Sequence, residues 1–187
     1  MWSKHRQISF SLGAAALAIL AAWMPVDGRA RSVEPVLDRL QGVYRFVGGD
    51  EEVVEVERAI DEAVDEMNFL IRGIARRRLK EPNLPTEELR ISVEAGAITV
   101  ARTGQPSVTA PATGDKVTWR NPRNGNELQV AHRVNGGGTL RQILVGDRGV
   151  STNVFRLSKD GRLVVETTIE ADKLPSTIRF STTYARK

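Results

Sequence analysis

Residues 128–145 read LQVAHRVNGGGTLRQILV, and they give the clearest indication of the fold. Apolar residues alternate with polar ones on both sides of Asn135 and the three glycines, which is the pattern of two β-strands joined by a turn. Similar alternating runs, each followed by a turn signal, continue from about residue 88 to the end of the chain. We therefore predict an antiparallel β-meander.

Turn signals recur outward from this stretch at the spacing that is typical of all-β barrels and sandwiches. The strongest is Asn124-Gly125, because this pair tolerates the positive φ that a tight hairpin needs at both central positions. A first strand at 43–47 precedes a helical segment, and the remaining strands follow it. The expected total is nine or ten strands.

The segment between Asp50 and about Leu79 has a helical period instead. Acidic residues crowd its first half and basic residues its second half, which matches the helix dipole. We predict one long amphipathic helix at about 50–80, which could bend or end at Gly73. The apolar stripe comprises Val53, Val56, Ile60, Ala63, Val64, Met67, Ile71 and Ile74. The predicted fold class is mainly β (α+β), a meander barrel with this helix after the first strand.

Residues 1–30 have the pattern of a secretory signal peptide. Lys4, His5 and Arg6 form a basic start, an uncharged apolar stretch follows, and Gly28 and Ala30 place small residues before a cut. The alternative is an uncleaved anchor in the inner membrane, since the uncharged stretch approaches the roughly 20 residues that span a bilayer. We expect residues 31–187 to form a single exported domain, periplasmic or secreted, that touches a membrane only through an uncleaved leader.

Charge and cysteine content exclude several classes of protein. The formal net charge of +4 falls to about +2 without residues 1–30, so the domain lacks the basic surface that nucleic-acid binding needs. The absence of cysteine excludes disulfides and thiolate metal sites. The densest basic run, at 76–80, suits a helix end or, alternatively, a phosphate or lipid headgroup.

Two motifs at the ends of the predicted barrel suggest a family. Gly42-Val43-Tyr44 opens the first strand, and Tyr184-Ala185-Arg186 closes the last. The order of strand, helical segment and long meander resembles the calycin group, which includes the lipocalins and fatty-acid-binding proteins. That resemblance implies a basic residue packed across the first-strand aromatic. It also implies a barrel for a small, largely apolar ligand, with the helix either capping or filling the barrel.

Several residues on predicted strands could line such a cavity, and we take six as candidate ligand-binding residues. The alternative is core packing for the aromatic residues, an exposed strand position for Gln142 and Asn153, and a hydrogen-bonded core residue or an outward turn for His132. Thr167 and Thr182 are further polar residues on apolar rows. The six candidates are Trp119, His132, Gln142, Asn153, Phe155 and Tyr184.

We predict no catalytic residues, no metal site and no cofactor. His132 is the only histidine after the leader, so neither a Ser-His-Asp site nor a multi-histidine zinc site has a convincing set of residues. The expected function is binding of a small apolar ligand, without enzymatic activity. The alternative is a structural or interaction protein of the cell envelope, with a sealed barrel and an exposed apolar patch.

Overall fold

The computed structural model describes residues 36–187, so the predicted leader at 1–30 lies outside the described residues. The structure contains ten strands, which end where the sequence has turn residues. They are β1 Gly42–Phe46, β2 Glu88–Glu94, β3 Ala97–Arg102, β4 Val108–Pro111, β5 Val117–Arg120, β6 Glu127–Asn135, β7 Thr139–Gly146, β8 Gly149–Leu157, β9 Leu163–Ala171 and β10 Ile178–Arg186.

All ten strands belong to one antiparallel sheet that curls into a nearly closed barrel. Their order is β4-β3-β2-β1-β10-β9-β8-β7-β6-β5, so the first strand pairs with the last. Just after the edge strand β4, Thr113 forms a bridge with Arg133 of β6, the neighbour of the other edge strand β5. Trp119 adds a second link there, because its indole Nε1 donates a hydrogen bond to the carbonyl of Ser107 at 3.1 Å. The predicted meander barrel of nine to ten strands is confirmed.

The helical segment after β1 is confirmed in position but consists of two helices rather than one. Helix α1 spans Gly49–Asp65 and α2 spans Phe69–Asn83. The break lies at Asn68, whose ψ of 133° is not helical and whose side chain caps α2 by accepting from the Leu70 amide. The asparagine side chain satisfies an amide at the new N-terminus, so the chain stops and restarts there rather than at Gly73.

Helix α1 closes one end of the barrel. Val56, Ile60 and Val64 are fully buried and pack in one cluster with Ile178 and Phe180. Phe180 pairs with Thr167, an inward-facing residue, so α1 covers the barrel mouth rather than its outer wall.

The opposite end is filled by the helical segment 36–40. Leu37 and Leu40 are buried together with Tyr44, Phe155 and Leu163. The apolar interior is therefore divided into two clusters, one at each end of the barrel. The helices cap the barrel at the first end, and the short segment plugs it at the second.

Helix α2 lies against α1 and contributes no buried residue. The partly buried Ala75 and Leu79 of α2 pack on the cluster under α1, and ion pairs at partly exposed positions also join the two helices. Arg76 lies 2.8 Å from both Asp61 and Asp65, and Lys80 lies 3.0 Å from Asp61. Such pairs are individually weak, at about 0–1 kcal/mol each. The outer helix of the cap is therefore its loosely held part.

Candidate ligand site inside the barrel

A row of buried polar side chains crosses the barrel wall between the two apolar clusters. His132 on β6 pairs with Gln142 on β7, Gln142 with Asn153 on β8, and Asn153 with Thr167 on β9. Paired residues of adjacent strands share one face of a sheet, and all four are at most 4% exposed. We call His132, Gln142, Asn153 and Thr167 the polar ladder.

Hydrogen bonds run along the polar ladder in a single direction. The Thr167 hydroxyl donates to Asn153 Oδ1 at 2.8 Å, and Asn153 Nδ2 donates to Gln142 Oε1 at 3.1 Å. Gln142 Nε2 lies 3.0 Å from His132 Nε2. An amide nitrogen only donates, so His132 Nε2 accepts and the neutral ring carries its proton on Nδ1. Within residues 36–187, that buried Nδ1 has no hydrogen-bond partner.

His132 is held in its neutral form by its surroundings. Burial lowers the pKa of the ring below the ordinary 6.5, and backbone groups of Ile98 and Ala110 act in the opposite direction. These groups lie near the ring without forming a well-aligned hydrogen bond to Nδ1. The neutral ring, with its unpartnered N–H, is therefore the form present at neutral pH.

Next to the Thr167 end of the ladder lies a small cavity of about 10 Å³. This volume is enough for about one water molecule. The end of α2 and the loop that follows it form part of the wall, and inward-facing residues of β3, β9 and β10 form the rest. The lining residues are Asn83, Leu84, Pro85, Arg102, Thr167, Phe180, Thr182 and Tyr184.

Arg102 is the unexpected member of this site. It pairs across β2 and β3 with Leu89, which is fully buried, so both residues face inward. Its guanidinium forms no ion pair with any carboxylate of residues 36–187 and donates no side-chain hydrogen bond to them. Burial lowers the pKa of Arg102, whereas the Tyr184 phenol acts in the opposite direction. The residue is partly exposed, and it lines the cavity.

A partly exposed guanidinium without a protein partner is free to pair with an anion, and a charge-assisted hydrogen bond to that anion is stronger than one between neutral groups. A pairing anion is therefore the natural complement of this cavity. The sequence contained a signal for Arg102 that we did not use, since it is in phase with Ile98 and Val100, two buried residues of the same strand.

The six predicted residues lie at four places in the barrel. His132, Gln142 and Asn153 come together in the polar ladder, while Tyr184 lines the cavity that Thr167 shares. Phe155 is buried in the cluster at the plugged end, and Trp119 lies at the barrel seam, partly exposed. The alternative of exposed strand positions is thus wrong for Gln142 and Asn153, which are inside. Whether these residues bind a ligand stays a prediction.

A second cavity, of about 150 Å³, lies where segment 36–40 meets the β6–β7 turn. Arg39 and Arg156 contribute to its wall, but Arg156 is already paired with Glu166 at 2.9 Å. It is separate from the polar ladder, since the two cavities share no lining residue.

The outer surface of the cap carries an apolar patch. Phe69 is 76% exposed, Leu70 70%, Ile74 50% and Ile71 42%. Leu70 and Ile74 lie one turn apart on α2, so they present a continuous row to solvent. We call these four residues the α2 patch.

Two features are absent from residues 36–187. No helix in this range is long and apolar enough to cross a membrane. The same residues contain no cluster of three or more histidine, aspartate or glutamate side chains arranged to hold a metal ion.

Comparison with known proteins gives likenesses of structure rather than of sequence. No protein-family model matches the chain, and no curated protein matches it. Apo lipid binding protein 8 of Caenorhabditis elegans is 13% identical, with a TM-score of 0.49 over 80% of this chain and 96% of that one. A mutant of the fluorescent protein UnaG is 15% identical, with a TM-score of 0.49 over 80% and 97%.

The zebrafish ileal bile acid-binding protein in complex with cholic acid is 11% identical. Its TM-score is 0.45 over 80% of this chain and 99% of that one. At such identities the likeness concerns the barrel alone. The strand order, the helix pair after β1 and the nearly closed antiparallel meander make this chain a lipocalin-like, or calycin-like, β-barrel.

Proposed function

We propose that this protein is a non-enzymatic binding protein for a small, largely apolar molecule that carries an anionic group. The observation that carries the proposal is Arg102, an inward-facing and partly exposed guanidinium on the cavity wall that has no carboxylate partner among residues 36–187. A bound anion would satisfy this charge. The hydroxyls of Thr182 and Tyr184 line the same cavity and could hydrogen-bond to the same group.

The apolar part of the ligand follows from the remaining walls. Phe180 and Leu84 border the cavity, and beyond them lies the apolar cluster under α1. An anion on an apolar body would place its charge at Arg102 and its body among these side chains. A simple inorganic anion would leave the apolar wall unused.

The present volume of about 10 Å³ is too small for such a ligand, so the cap must move. On the side of the cap, the cavity wall is formed by Asn83 at the end of α2 and by the following Leu84 and Pro85. Helix α2 has no fully buried residue and packs on the cluster under α1 only through the partly buried Ala75 and Leu79, so displacing it exposes little apolar surface. We propose that ligand enters beneath α2 while α1 stays in place.

We also propose that the domain works outside the cytoplasm, as a periplasmic or secreted protein. The support is the sequence of residues 1–30, with its basic start, uncharged centre and small residues near Ala30. N-terminal sequencing of the protein recovered from an exported fraction tests this. A mature chain beginning at Arg31 is expected, and recovery of the full-length chain from the cytoplasm alone would contradict export.

Ligand binding is tested with an anionic apolar probe, 1-anilinonaphthalene-8-sulfonate, whose fluorescence rises in apolar surroundings. Arg102→Met should weaken its affinity about tenfold or more, since a charge-assisted contact is lost. Arg90→Met, an exposed substitution on the neighbouring strand, is the matched control and should bind as the wild type does. Equal affinity of the Arg102→Met variant and the wild type would refute the proposal.

The α2 patch favours a second candidate function, an interaction protein of the cell envelope with a sealed barrel. An exposed row such as Leu70 and Ile74 is unusual unless something covers it. Native mass spectrometry of protein taken from cells separates the two functions. A retained small molecule supports binding inside the barrel, whereas an empty barrel together with a partner lost in the Leu70→Ser variant supports the second function.

A further inference from the structure

The direction of the polar ladder can be reversed by one proton. With neutral His132, every donor in the ladder points toward the histidine, and the Thr167 hydroxyl is used up on Asn153. A protonated ring carries a proton on Nε2 as well, so it would face the Gln142 amide nitrogen donor to donor. The ladder in its present direction is therefore incompatible with a charged His132.

Reversal resolves this conflict with little change in shape. Rotation of each amide by about 180° exchanges nitrogen and oxygen atoms of similar size. His132 Nε2 then donates to Gln142 Oε1, Gln142 Nε2 to Asn153 Oδ1, and Asn153 Nδ2 to Thr167 Oγ1. The Thr167 hydroxyl proton is released from the ladder. Because Thr167 lines the Arg102 cavity, that proton can be donated into the cavity.

We propose that the polar ladder couples protonation of His132 to anion binding, by turning the Thr167 hydroxyl into a donor beside Arg102. This inference rests on the proposed function, since it requires an anion in the cavity. It assigns Thr167 as a residue that sets affinity for the anionic group and His132 as the positioning residue that controls it.

The proton that the His132 ring can bind is the charge that controls the ladder, because no charged side chain in the described part of the chain surrounds the ring. The ring faces Gln142 on β7 and backbone groups of Ile98 on β3 and Ala110 on β4. No charged side chain of residues 36–187 acts on its pKa. Arg102 and Tyr184 are the ionisable groups at the other end, on the cavity wall. A proton bound at His132 is thus transmitted through the amides of Gln142 and Asn153.

Binding of the sulfonate probe between pH 7.5 and pH 5 tests the coupling, since a sulfonate stays ionised throughout. The wild type should bind about tenfold more tightly once His132 is protonated, the effect of one added donor to an anion. Thr167→Val and His132→Gln should lose this increase. Thr168→Val, which changes the neighbouring residue of the same strand outside the ladder, should keep it.

Nitrogen NMR of the histidine ring tests the ladder without any ligand. The neutral ring should carry its proton on Nδ1, and the side-chain amide signals of Gln142 and Asn153 should shift together as His132 titrates. Because protonation and binding are linked, the pKa of His132 should be higher when the probe is bound. The difference should equal the base-10 logarithm of the factor by which protonation of His132 increases the affinity for the probe. The only other histidine is His5, and a chain that begins at Arg31 lacks it. The histidine signals that remain in such a chain therefore belong to His132.

The outcomes separate this inference from the proposed function. If Arg102→Met binds the probe as the wild type does at pH 7.5, the proposed function fails, and the coupling fails with it. If Arg102 is needed but Thr167→Val keeps the full pH dependence, only the coupling fails. A neutral ring protonated on Nε2 would overturn the coupling by itself.

Discussion

Arg186 on β10 lies across the ring of Tyr44 on β1, with its guanidinium carbon 5.3 Å from the ring centre and Nη2 2.9 Å from the hydroxyl. The same guanidinium donates to the carbonyl of Arg39, while the Tyr44 hydroxyl donates to the carbonyl of Leu40 at 2.8 Å. The contact joins the first strand, the last strand and the helical segment 36–40. This is the packing of a basic residue on the first-strand aromatic that the resemblance to calycins implied.

Replacing Arg186 with methionine should lower the free energy of unfolding by about 1–2 kcal/mol, because a hydrogen bond and a cation–π contact are lost. Chemical denaturation measures this value. Arg179→Met, at an exposed position of the same strand, should change stability by less than about 0.5 kcal/mol. Equal effects of the two substitutions would mean that the contact with Tyr44 contributes nothing.

Arg102→Met should stabilise the unliganded protein while it weakens anion binding. The substitution replaces a partly buried, unpaired cation with an apolar side chain of similar length, which we expect to raise the free energy of unfolding by up to about 1 kcal/mol. Thermal unfolding without ligand measures the gain. A loss of stability would indicate that Arg102 supports the fold rather than a ligand.

Stability should fall as the pH drops below about 6.5, the unfolded value for histidine. The pKa of His132 is lower in the folded protein than in the unfolded chain, so the unfolded chain binds the extra proton first. The loss begins near the unfolded value and levels off once the folded protein also binds the proton. Urea unfolding at several pH values from 7.5 to 5 gives the free energy of unfolding at each. This free energy should fall less steeply with decreasing pH for His132→Gln than for the wild type.

Asn153→Ala should cost about 2–3 kcal/mol, because it leaves both Gln142 Oε1 and the Thr167 hydroxyl without their buried partner. Thr152→Ala, on the outer face of the same strand, is the control. Denaturation midpoints compare the two variants. A cost below about 0.5 kcal/mol for Asn153→Ala would show that water replaces the amide freely.

The two helices of the cap should respond very differently to the same truncation. Ile60→Ala in α1 removes a fully buried side chain and should cost about 2–5 kcal/mol. Ile74→Ala in α2 removes a side chain that is 50% exposed and should cost less than about 0.5 kcal/mol. Equal costs would mean that α2 is packed as firmly as α1.

Alternation and turn residues were sufficient to predict the barrel, since they act locally. The stripe from Val56 to Val64 was likewise enough to predict the buried face of α1. The continuation to Ile71 and Ile74 was wrong as a buried stripe, because a cap at Asn68 starts a new helix with a different orientation. The apolar repeat predicts one continuous helix, whereas the capping residue Asn68 starts a second one. Periodicity alone does not show which of these two local preferences prevails.

The site was only partly predictable for a related reason. His132, Gln142 and Asn153 lie on one row of each strand, but only the register of β6, β7 and β8 places them side by side. Arg102 was missed because a basic residue at the end of a strand is normally exposed. Its pairing with Leu89 depends on the hairpin between β2 and β3, which fixes the inward face.

The loose attachment of α2 has a consequence for the timing of binding. If the cavity opens only when the ion pairs from Asp61 and Asp65 to Arg76 and Lys80 separate, the association rate of any ligand reaches a ceiling set by that separation. Added salt weakens those pairs and should raise the ceiling. Ligand capture in this barrel would then run faster at high ionic strength, opposite to the usual slowing of association between opposite charges.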